Sequence, residues 1–206
     1  MIHVPPQPAP SDFDASVKQP GQQFLATCPR PKTKDWKNHS YWTKVLHELH
    51  DRYNGICAYA CHWIPCDTGA DTVEHFLPKG THPNKAYEWD NYRLVCQTLN
   101  GRKGTQADVL DPFLISDGWF ILDFPSLLVK PLDGLPDAIS QKVLQTRDRL
   151  KLNDEGTCLK SRLKWVMDYC DGYYDLRHLE RSAPFIYIEL KRQGLEEKIK
   201  DIMLPR

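Results

Sequence analysis

The sequence predicts an α+β fold in which helices flank a small β-containing core and a proline-rich segment precedes them. Apolar residues recur at helical spacing in several stretches, whereas the segments between them are short, strand-like and broken by turn residues. Hydrophobic residues make up 41% of the 206 positions, which is enough for a core in one domain with appendages or in two small domains. Seven prolines lie within the first 35 residues: Pro5, Pro6, Pro8, Pro10, Pro20, Pro29 and Pro31.

The composition argues against several classes of protein. Lys and Arg together number 27, as do Asp and Glu, and the resulting net charge of zero disfavours a protein that coats DNA, although a locally basic cleft stays open. No run of about 18 apolar residues is present, so no membrane span is predicted. The N-terminus lacks a signal-peptide pattern, and seven cysteines is an odd number for a complete set of disulfides. We therefore expect a cytoplasmic protein with reduced thiols.

The chain divides by composition into three parts. Residues 1–35 are expected to form an extended arm, because a segment so rich in proline disfavours a helix. Such an arm either has no role of its own or binds a partner. Residues 36–110 would hold the core with a leading helix. Residues 111–206 would hold a loop-rich segment and a C-terminal helical region.

The leading helix is predicted over residues 39–53. Its apolar stripe consists of Trp42, Val45, Leu46, Leu49 and Tyr53. Asn54 and Gly55 then end the helix. Strand-like segments follow at 56–64 and 71–77.

The second half of the core and the segment after it alternate short elements with loops. A strand is expected at 92–96, and a helix begins near Asn100. Residues 105–140 are interrupted by prolines and contain one convincing strand, at 119–124.

Two helices are predicted in the C-terminal part. The first covers residues 153–172 and would be capped by Asn153. Its buried face would consist of Leu159, Leu163, Val166 and Cys170. The second begins at Pro184, since proline is favoured in the first turn of a helix.

The strongest functional signal is a cluster of polar residues within thirty positions of the core. It consists of Glu74, His75, Asn91, Asn100, Arg102 and Lys103. Phosphodiester hydrolysis requires a base to activate water, oxygen ligands for a hard cation, and positive charge for the phosphate. Taken singly, each of these residues is more often a polar residue on the surface or part of a turn. Their joint order and spacing favour a site.

The chemistry of each side chain suggests a role. His75 is the candidate general base, because a neutral imidazole can accept a proton near pH 7. Glu74 and Asn100 offer oxygen ligands to Mg²⁺ or Mn²⁺. Neighbouring side chains point to opposite faces of a flat strand, so Glu74 and His75 can share one site only at a strand end or a bulge.

The remaining polar residues would orient and bind. Asn91 could fix the tautomer of His75 through a hydrogen bond, although an asparagine at this place is equally consistent with a turn. Arg102 and Lys103 would hold phosphate oxygens.

The stretch from Cys57 to Gly104 resembles the HNH endonucleases of the His-Me finger superfamily, whose core is the ββα-metal fold. The matching residues are Glu74, His75, Pro78, Asn91, Cys96, Asn100, Lys103 and Gly104. The third motif residue is Asn rather than His, which is a variant that the family also uses. The resemblance implies His75 as the base, Asn91 as the residue that orients it, and Glu74 and Asn100 as metal ligands.

A second resemblance extends over residues 40–170, to the PtuB-like subgroup of Septu and retron-associated effectors. The residues that carry it are Trp42 to Tyr53 leading into Cys57-Ala58-Tyr59, His75 to Lys79, Trp89-Asp90-Asn91, Thr146 to Asn153, and Arg162. Those nucleases act beside an ABC-type, PtuA-like ATPase in defence against phages. The resemblance therefore implies such a partner, together with a DNA or RNA substrate.

The cysteines depart from the family pattern. Many HNH proteins hold a zinc ion between two Cys-x-x-Cys pairs. Here Cys57 is followed by Ala60 and Cys96 by Leu99, so each pair has lost one thiolate and we expect no structural zinc. A shifted site is the alternative, in which Cys57 and Cys96 are joined by Cys61, or by His62 or Cys66.

Three functions of different classes are compatible with these residues. The first is a metal-dependent endonuclease. The others are a catalytically inactive binding module of HNH shape and a structural subunit of an ATPase complex. An inactive relative should have lost at least one of Glu74, His75 and Asn100, and all three are present. The sequence therefore favours the nuclease.

Overall fold

The computed structural model describes residues 1–68 and 70–204. The chain forms two compact units. The central unit comprises Pro5–Cys57 and Ile64–Ala107, and the C-terminal unit comprises Met1–Val4, Ala58–Trp63 and Asp108–Arg206. Each unit contains one two-stranded antiparallel sheet together with helices, so the predicted α+β class is confirmed. None of the helices in the described ranges is long and apolar enough to cross a membrane.

The central unit contains the elements that surround the candidate site. In chain order these are a π-helical turn at Asp14–Lys18, α1 (Gln19–Thr27), α2 (Thr33–Trp36), a 3-10 turn at Tyr41–Val45, α3 (Leu46–Arg52), β1 (Asp71–His75), 3-10 turns at Pro83–Lys85 and Trp89–Asn91, β2 (Tyr92–Cys96) and α4 (Gln97–Lys103). The strands β1 and β2 are antiparallel, with Glu74 opposite Arg93 and His75 opposite Tyr92.

The prediction that residues 1–35 form an extended arm is wrong, because helical structure runs from the π-helical turn through α1. Pro20 stands at the junction of the π-helical turn and α1, and the other prolines lie outside this helical stretch. Val17 and Phe24 are buried, so this segment belongs to the core of the central unit. The proline content of a segment therefore does not exclude a helix, because the positions of the prolines decide.

The leading helix is confirmed as a 3-10 turn that continues into α3. Asn54 and Gly55 both have positive φ, at 53° and 67°, and end it as expected. The strand-like prediction for 56–64 is wrong, since the structure has only isolated bridges at Ile56 and Trp63 there. The other two strands are confirmed as β1 and β2, although α4 begins at Gln97, three residues earlier than predicted.

The C-terminal unit pairs a β-hairpin with five helices in the part that the structure describes. Its elements are β3 (Phe120–Asp123), β4 (Leu128–Pro131), α5 (Asp137–Arg149), a π-helical turn at Glu155–Leu159, α6 (Lys160–Cys170), α7 (Leu176–Ser182), α8 (Pro184–Gln193) and α9 (Ile199–Met203). The strand at 119–124 and the helix that begins at Pro184 are confirmed. The hairpin partner β4 and the start of α5 lie within the segment that was predicted to be mainly loop.

Two details of the helix predicted over 153–172 are corrected. Asn153 does not cap it, because its side-chain amide pairs with both the N–H and the C=O of Val129. Leu163 is 42% exposed, and the buried positions are instead Cys158, Arg162, Val166 and Cys170. Arg162 is buried because it donates hydrogen bonds to the carbonyls of Leu127 and Leu152, at 2.9 and 2.8 Å. A charged residue therefore occupies the inner face, which apolar periodicity could not reveal.

Candidate active site

The end of β1 and the helix α4 border an open cleft of about 380 Å³ in the central unit. Its lining residues are Val73, Glu74, His75, Pro78, Lys79, Gly80, Asn100, Gly104 and Thr105. The candidate base and both candidate metal ligands are among them. His75 is the last residue of β1, which fits the requirement that neighbouring side chains share a site only at an irregular place such as a strand end.

His75 is a buried and neutral histidine. Its Nε2 lies 3.0 Å from the carbonyl oxygen of Ala86, which can only accept, so Nε2 carries the hydrogen and Nδ1 keeps a lone pair. The rings of Trp42 and Tyr92 pack against the imidazole edge-to-face, with centroids at 4.7 and 5.2 Å. Burial, and secondarily the charge of Lys79, lower the pKa of His75 to about 3. The imidazole is therefore uncharged at neutral pH and keeps the lone pair on Nδ1.

Glu74 is ion-paired inside the protein. Its Oε1 lies 2.5 Å from Nζ of Lys103, and the two side chains are 2% and 0% exposed. Lys103 also donates to the carbonyls of His75 and Phe76, at 3.1 and 2.9 Å. The ammonium thus neutralises the charge of Glu74 and stabilises the backbone where β1 ends.

The predicted phosphate-binding role of Lys103 is therefore corrected, since a fully buried ammonium with three acceptors cannot reach a substrate. Arg102 is half-buried on α4 and does not line the cleft. The structure places neither of the two predicted phosphate contacts in the cleft.

Asn91 stabilises a loop and does not contact the imidazole directly. Its Oδ1 accepts from the N–H of Leu77 at 2.7 Å, and its Nδ2 donates to the carbonyls of Leu77 and Lys85, both at 3.0 Å. The expected hydrogen bond from Asn91 to His75 is absent among the described residues, and Ala86 provides the acceptor instead. Asn91 thereby fixes Lys85, the residue directly before that acceptor.

The amide of Asn100 has a defined orientation. Its Nδ2 donates to the hydroxyl of Thr72 at 2.9 Å, and this hydroxyl donates to the carbonyl of Val95 at 2.6 Å. A hydroxyl has a single hydrogen, so toward Asn100 it can only accept. The carbonyl side of the amide, Oδ1, therefore points away from Thr72, as a cation ligand requires.

Lys79 is a cleft residue to which the sequence analysis gave no role. Its side chain is half-buried, and Nζ lies 5.1 Å from the centroid of the Trp42 ring. Burial lowers the pKa of Lys79, while the charge of Glu74 raises it. The sequence did contain a signal, because Lys79 closes the run from His75 that carried the resemblance to PtuB-like proteins.

The structure brings together only part of the candidate zinc set. The backbone N–H of Cys96 donates to Sγ of Cys57 at 3.4 Å, and the hydrogen bond from Cys57 lowers the pKa of Cys96 to about 7. Cys61 belongs to the C-terminal unit and is buried there. Over residues 1–68 and 70–204 no group of three or more His, Cys, Asp or Glu side chains is placed to hold a metal ion.

The central unit thus has a cleft beside an antiparallel strand pair and a helix, lined by a neutral histidine, a carboxylate and an oriented amide. No family model matches the chain. Over 155 residues, or 74% of its length, the chain is 28% identical to the Septu protein PtuB of Bacillus thuringiensis. The matched region covers 55% of that protein, so the chain spans about half the length of its relative.

Proposed function

We propose that this chain is a metal-dependent endonuclease of the HNH type, which hydrolyses phosphodiester bonds in DNA or RNA. One observation carries the proposal: His75, Glu74 and Asn100 line a single cleft. They come from β1 and α4, which are separated by a long loop and β2, so only the fold brings them together. The ββα-metal core is the fold that this proposal implies for β1, β2 and α4.

The donor set fits a hard divalent cation. Glu74 provides a carboxylate and Asn100 an amide oxygen, and Mg²⁺ is commonly held by one or two protein oxygens together with water and substrate phosphate. Mn²⁺ accepts the same ligands. A cation held there would stabilise the negative charge on the leaving oxygen of the phosphodiester. We expect no structural zinc to be required, because Cys57 and Cys96 alone give two thiolates.

The protein residues would act as follows. Nδ1 of His75 takes a proton from a water molecule, which attacks the phosphorus in line with the leaving 3′ oxygen. The carbonyl of Ala86 holds the tautomer of His75 that leaves Nδ1 free of hydrogen. Lys103 fixes the carboxylate of Glu74, and Thr72 fixes the amide of Asn100. The bond between phosphorus and the 3′ oxygen would break, the 3′ oxygen would take a proton from water, and the products would carry a 5′-phosphate and a 3′-hydroxyl.

The biological role we propose is defence against phages, in a complex with an ABC-type ATPase. The similarity to PtuB supports the defence role. The net charge of zero supports a partner that delivers the nucleic acid, because nonspecific affinity for nucleic acids comes mainly from Lys and Arg. Co-purification with such an ATPase, followed by comparison of cleavage by the complex and by the lone chain, tests this part.

A catalytically inactive subunit of the same complex is the second candidate. The observation that favours it is the burial of Glu74, whose carboxylate is already neutralised by Lys103. An inactive subunit would bind the ATPase but would cut neither DNA nor RNA with Mg²⁺ or Mn²⁺.

The decisive experiment is cleavage by the chain and by its complex, with His75→Gln as the test variant. Glutamine retains a polar side chain at a buried position but cannot act as a base. The matched control is His47→Gln, at a histidine whose side chain is 80% exposed. We expect His75→Gln to abolish cleavage, His47→Gln to preserve it and EDTA to stop it. Full activity of a folded His75→Gln protein would exclude the assigned base.

A further inference from the structure

Positive charge exceeds negative charge in the surroundings of Glu74, the single candidate carboxylate of the cleft. Glu74 is paired with Lys103, and Lys79 lines the same cleft. Arg93 stands directly opposite Glu74 in the antiparallel register, which places both side chains on one face of the sheet. Three cations therefore accompany one carboxylate. A divalent cation is repelled by such a set, whereas a phosphate is attracted to it.

Lys79 is the one of these cations that can meet a phosphate in the cleft. Lys103 is fully buried and donates to Glu74 and two carbonyls, and Arg93 is buried and donates to the carbonyls of Asp90 and Tyr92. The side chain of Lys79, in contrast, is half-buried and lines the cleft.

The position of Lys79 relative to the base is set by a shared aromatic ring. Its ammonium lies over Trp42, and the same indole packs against His75 with centroids 4.7 Å apart. A cation over an aromatic face is attracted by the ring and loses little freedom when it binds an anion. A phosphate bound by Lys79 would consequently lie in the cleft that holds His75, Glu74 and Asn100.

We propose that the cleft binds in a preferred order: a nucleic-acid phosphate first, through Lys79, and the divalent cation second, in a site that this phosphate completes. The inference rests on the proposed nuclease function and adds the order of binding and the residue that determines it. Glu74 and Asn100 then supply two ligands, and the phosphate supplies the negative charge that the protein itself lacks. Thermodynamic linkage requires each ligand to raise the affinity of the other by the same factor.

The test measures binding in the full chain and does not depend on cleavage. Affinity for a fluorescent oligonucleotide is measured by anisotropy in EDTA, and affinity for Mn²⁺ by electron paramagnetic resonance, without and with saturating oligonucleotide. All proteins carry His75→Gln so that the oligonucleotide stays intact. The variant is Lys79→Met, which keeps an unbranched apolar side chain against Trp42. The control is Lys37→Met, which removes the same charge at an exposed position of the central unit.

We expect the parent to bind the oligonucleotide in EDTA and to bind Mn²⁺ about tenfold more tightly once the oligonucleotide is present. Lys79→Met should weaken oligonucleotide binding about tenfold or more, because it removes a charge-assisted hydrogen bond. It should at the same time tighten Mn²⁺ binding to the free protein. A variant that merely damages the fold would weaken both, and Lys37→Met should change neither.

The contrary outcomes separate the two proposals. If the oligonucleotide does not affect Mn²⁺ affinity, if oligonucleotide binding requires Mn²⁺, or if Lys79→Met fails to shift the two affinities in opposite directions, the order of binding is wrong while the nuclease proposal stands. If the chain, alone and with its ATPase, binds neither oligonucleotide nor Mn²⁺ and the His75-containing protein cuts nothing, the nuclease proposal fails and this inference fails with it.

Discussion

The side-chain amide of Asn100 donates a 2.9 Å hydrogen bond to the hydroxyl of Thr72, and that hydroxyl donates a hydrogen bond to the carbonyl of Val95. Thr72 does not line the cleft, yet it determines which end of the Asn100 amide faces away from the sheet. We regard Thr72 as a positioning residue for the proposed metal site. Its effect should therefore be seen in metal affinity before it is seen in folding.

Thr72→Val removes the hydroxyl and keeps the shape of the side chain. The amide of Asn100 can then rotate, and we expect Mn²⁺ affinity in the presence of nucleic acid to fall by about three- to tenfold, which corresponds to the loss of one hydrogen bond. Thr72→Ser retains the hydroxyl and serves as the control. Equal Mn²⁺ affinity in Thr72→Val and in the parent would mean that Thr72 does not orient Asn100.

Gly21 gives a test of the helix that replaced the expected arm. A Cβ added at this position of α1 would lie 2.1 Å from Cγ of Tyr87, whose ring is buried and cannot swing aside. We expect Gly21→Ala to lower the free energy of unfolding by about 1–3 kcal/mol through overpacking.

The control for Gly21→Ala is Gly101→Ala in α4, where an added Cβ meets nothing within 4 Å. Alanine is favoured over glycine within a helix by about 0.5–1 kcal/mol, so Gly101→Ala should leave stability unchanged or raise it. The comparison is made by urea unfolding of both variants. A Gly21→Ala protein as stable as the parent would argue that residues 14–27 do not pack against the rest of the central unit.

The sequence predicted the parts of the fold that local patterns encode. The apolar stripe of the leading helix, the two strands of the central sheet and the proline at the start of α8 are all local signals, and all were confirmed. Helix α1 was missed because the number of prolines does not reveal that only Pro20 falls within the helical stretch. The inner face of α6 was misplaced because Arg162 is buried through carbonyls that are distant in sequence.

In the candidate site, too, some features follow from the sequence and others depend on tertiary contacts. Three of the residues that line the cleft, Glu74, His75 and Asn100, were singled out from the sequence, since their order and spacing are a sequence property. The contacts that define their roles are tertiary: Lys103 reaches Glu74 only because α4 packs beside β1, and Ala86 reaches His75 only through a folded loop. No local pattern distinguishes a buried lysine from one that contacts a phosphate, so the sequence alone could not reveal that Lys103 is buried.

The Lys103–Glu74 pair should therefore matter for stability. Lys103→Met removes the ammonium that pairs with the Glu74 carboxylate and donates to two carbonyls, and breaking a buried ion pair in this way costs about 3–5 kcal/mol. Urea unfolding should show this loss, whereas Lys142→Met, at an exposed lysine of α5, should be neutral. The double variant Glu74→Gln with Lys103→Met should recover part of the loss. A stable Lys103→Met protein that binds nucleic acid weakly would instead restore the phosphate-binding role.

The pH dependence of stability provides the final prediction, through His75. Burial, with a further contribution from Lys79, lowers its pKa from 6.5 to about 3, whereas the unfolded chain has the ordinary value. Between these two values the unfolded state binds a proton that the folded state does not, so this histidine makes the free energy of unfolding decrease as the pH falls from about 6.5 towards 3. The slope for one such proton is about 1.4 kcal/mol per pH unit.

His75→Gln removes this dependence, while His47→Gln, at an exposed position, should retain it. Urea unfolding of the parent and both variants at pH 7, 6 and 5 gives three curves of the free energy of unfolding against pH. The titratable groups that the three proteins have in common contribute equally to all of them. We expect the parent and His47→Gln curves to be parallel and the His75→Gln curve to fall less steeply on acidification. Parallel curves for all three proteins would show that His75 titrates near its ordinary pKa. In that case the imidazole would be exposed to solvent. The cleavage rate would then fall on acidification near pH 6.5 instead of well below it.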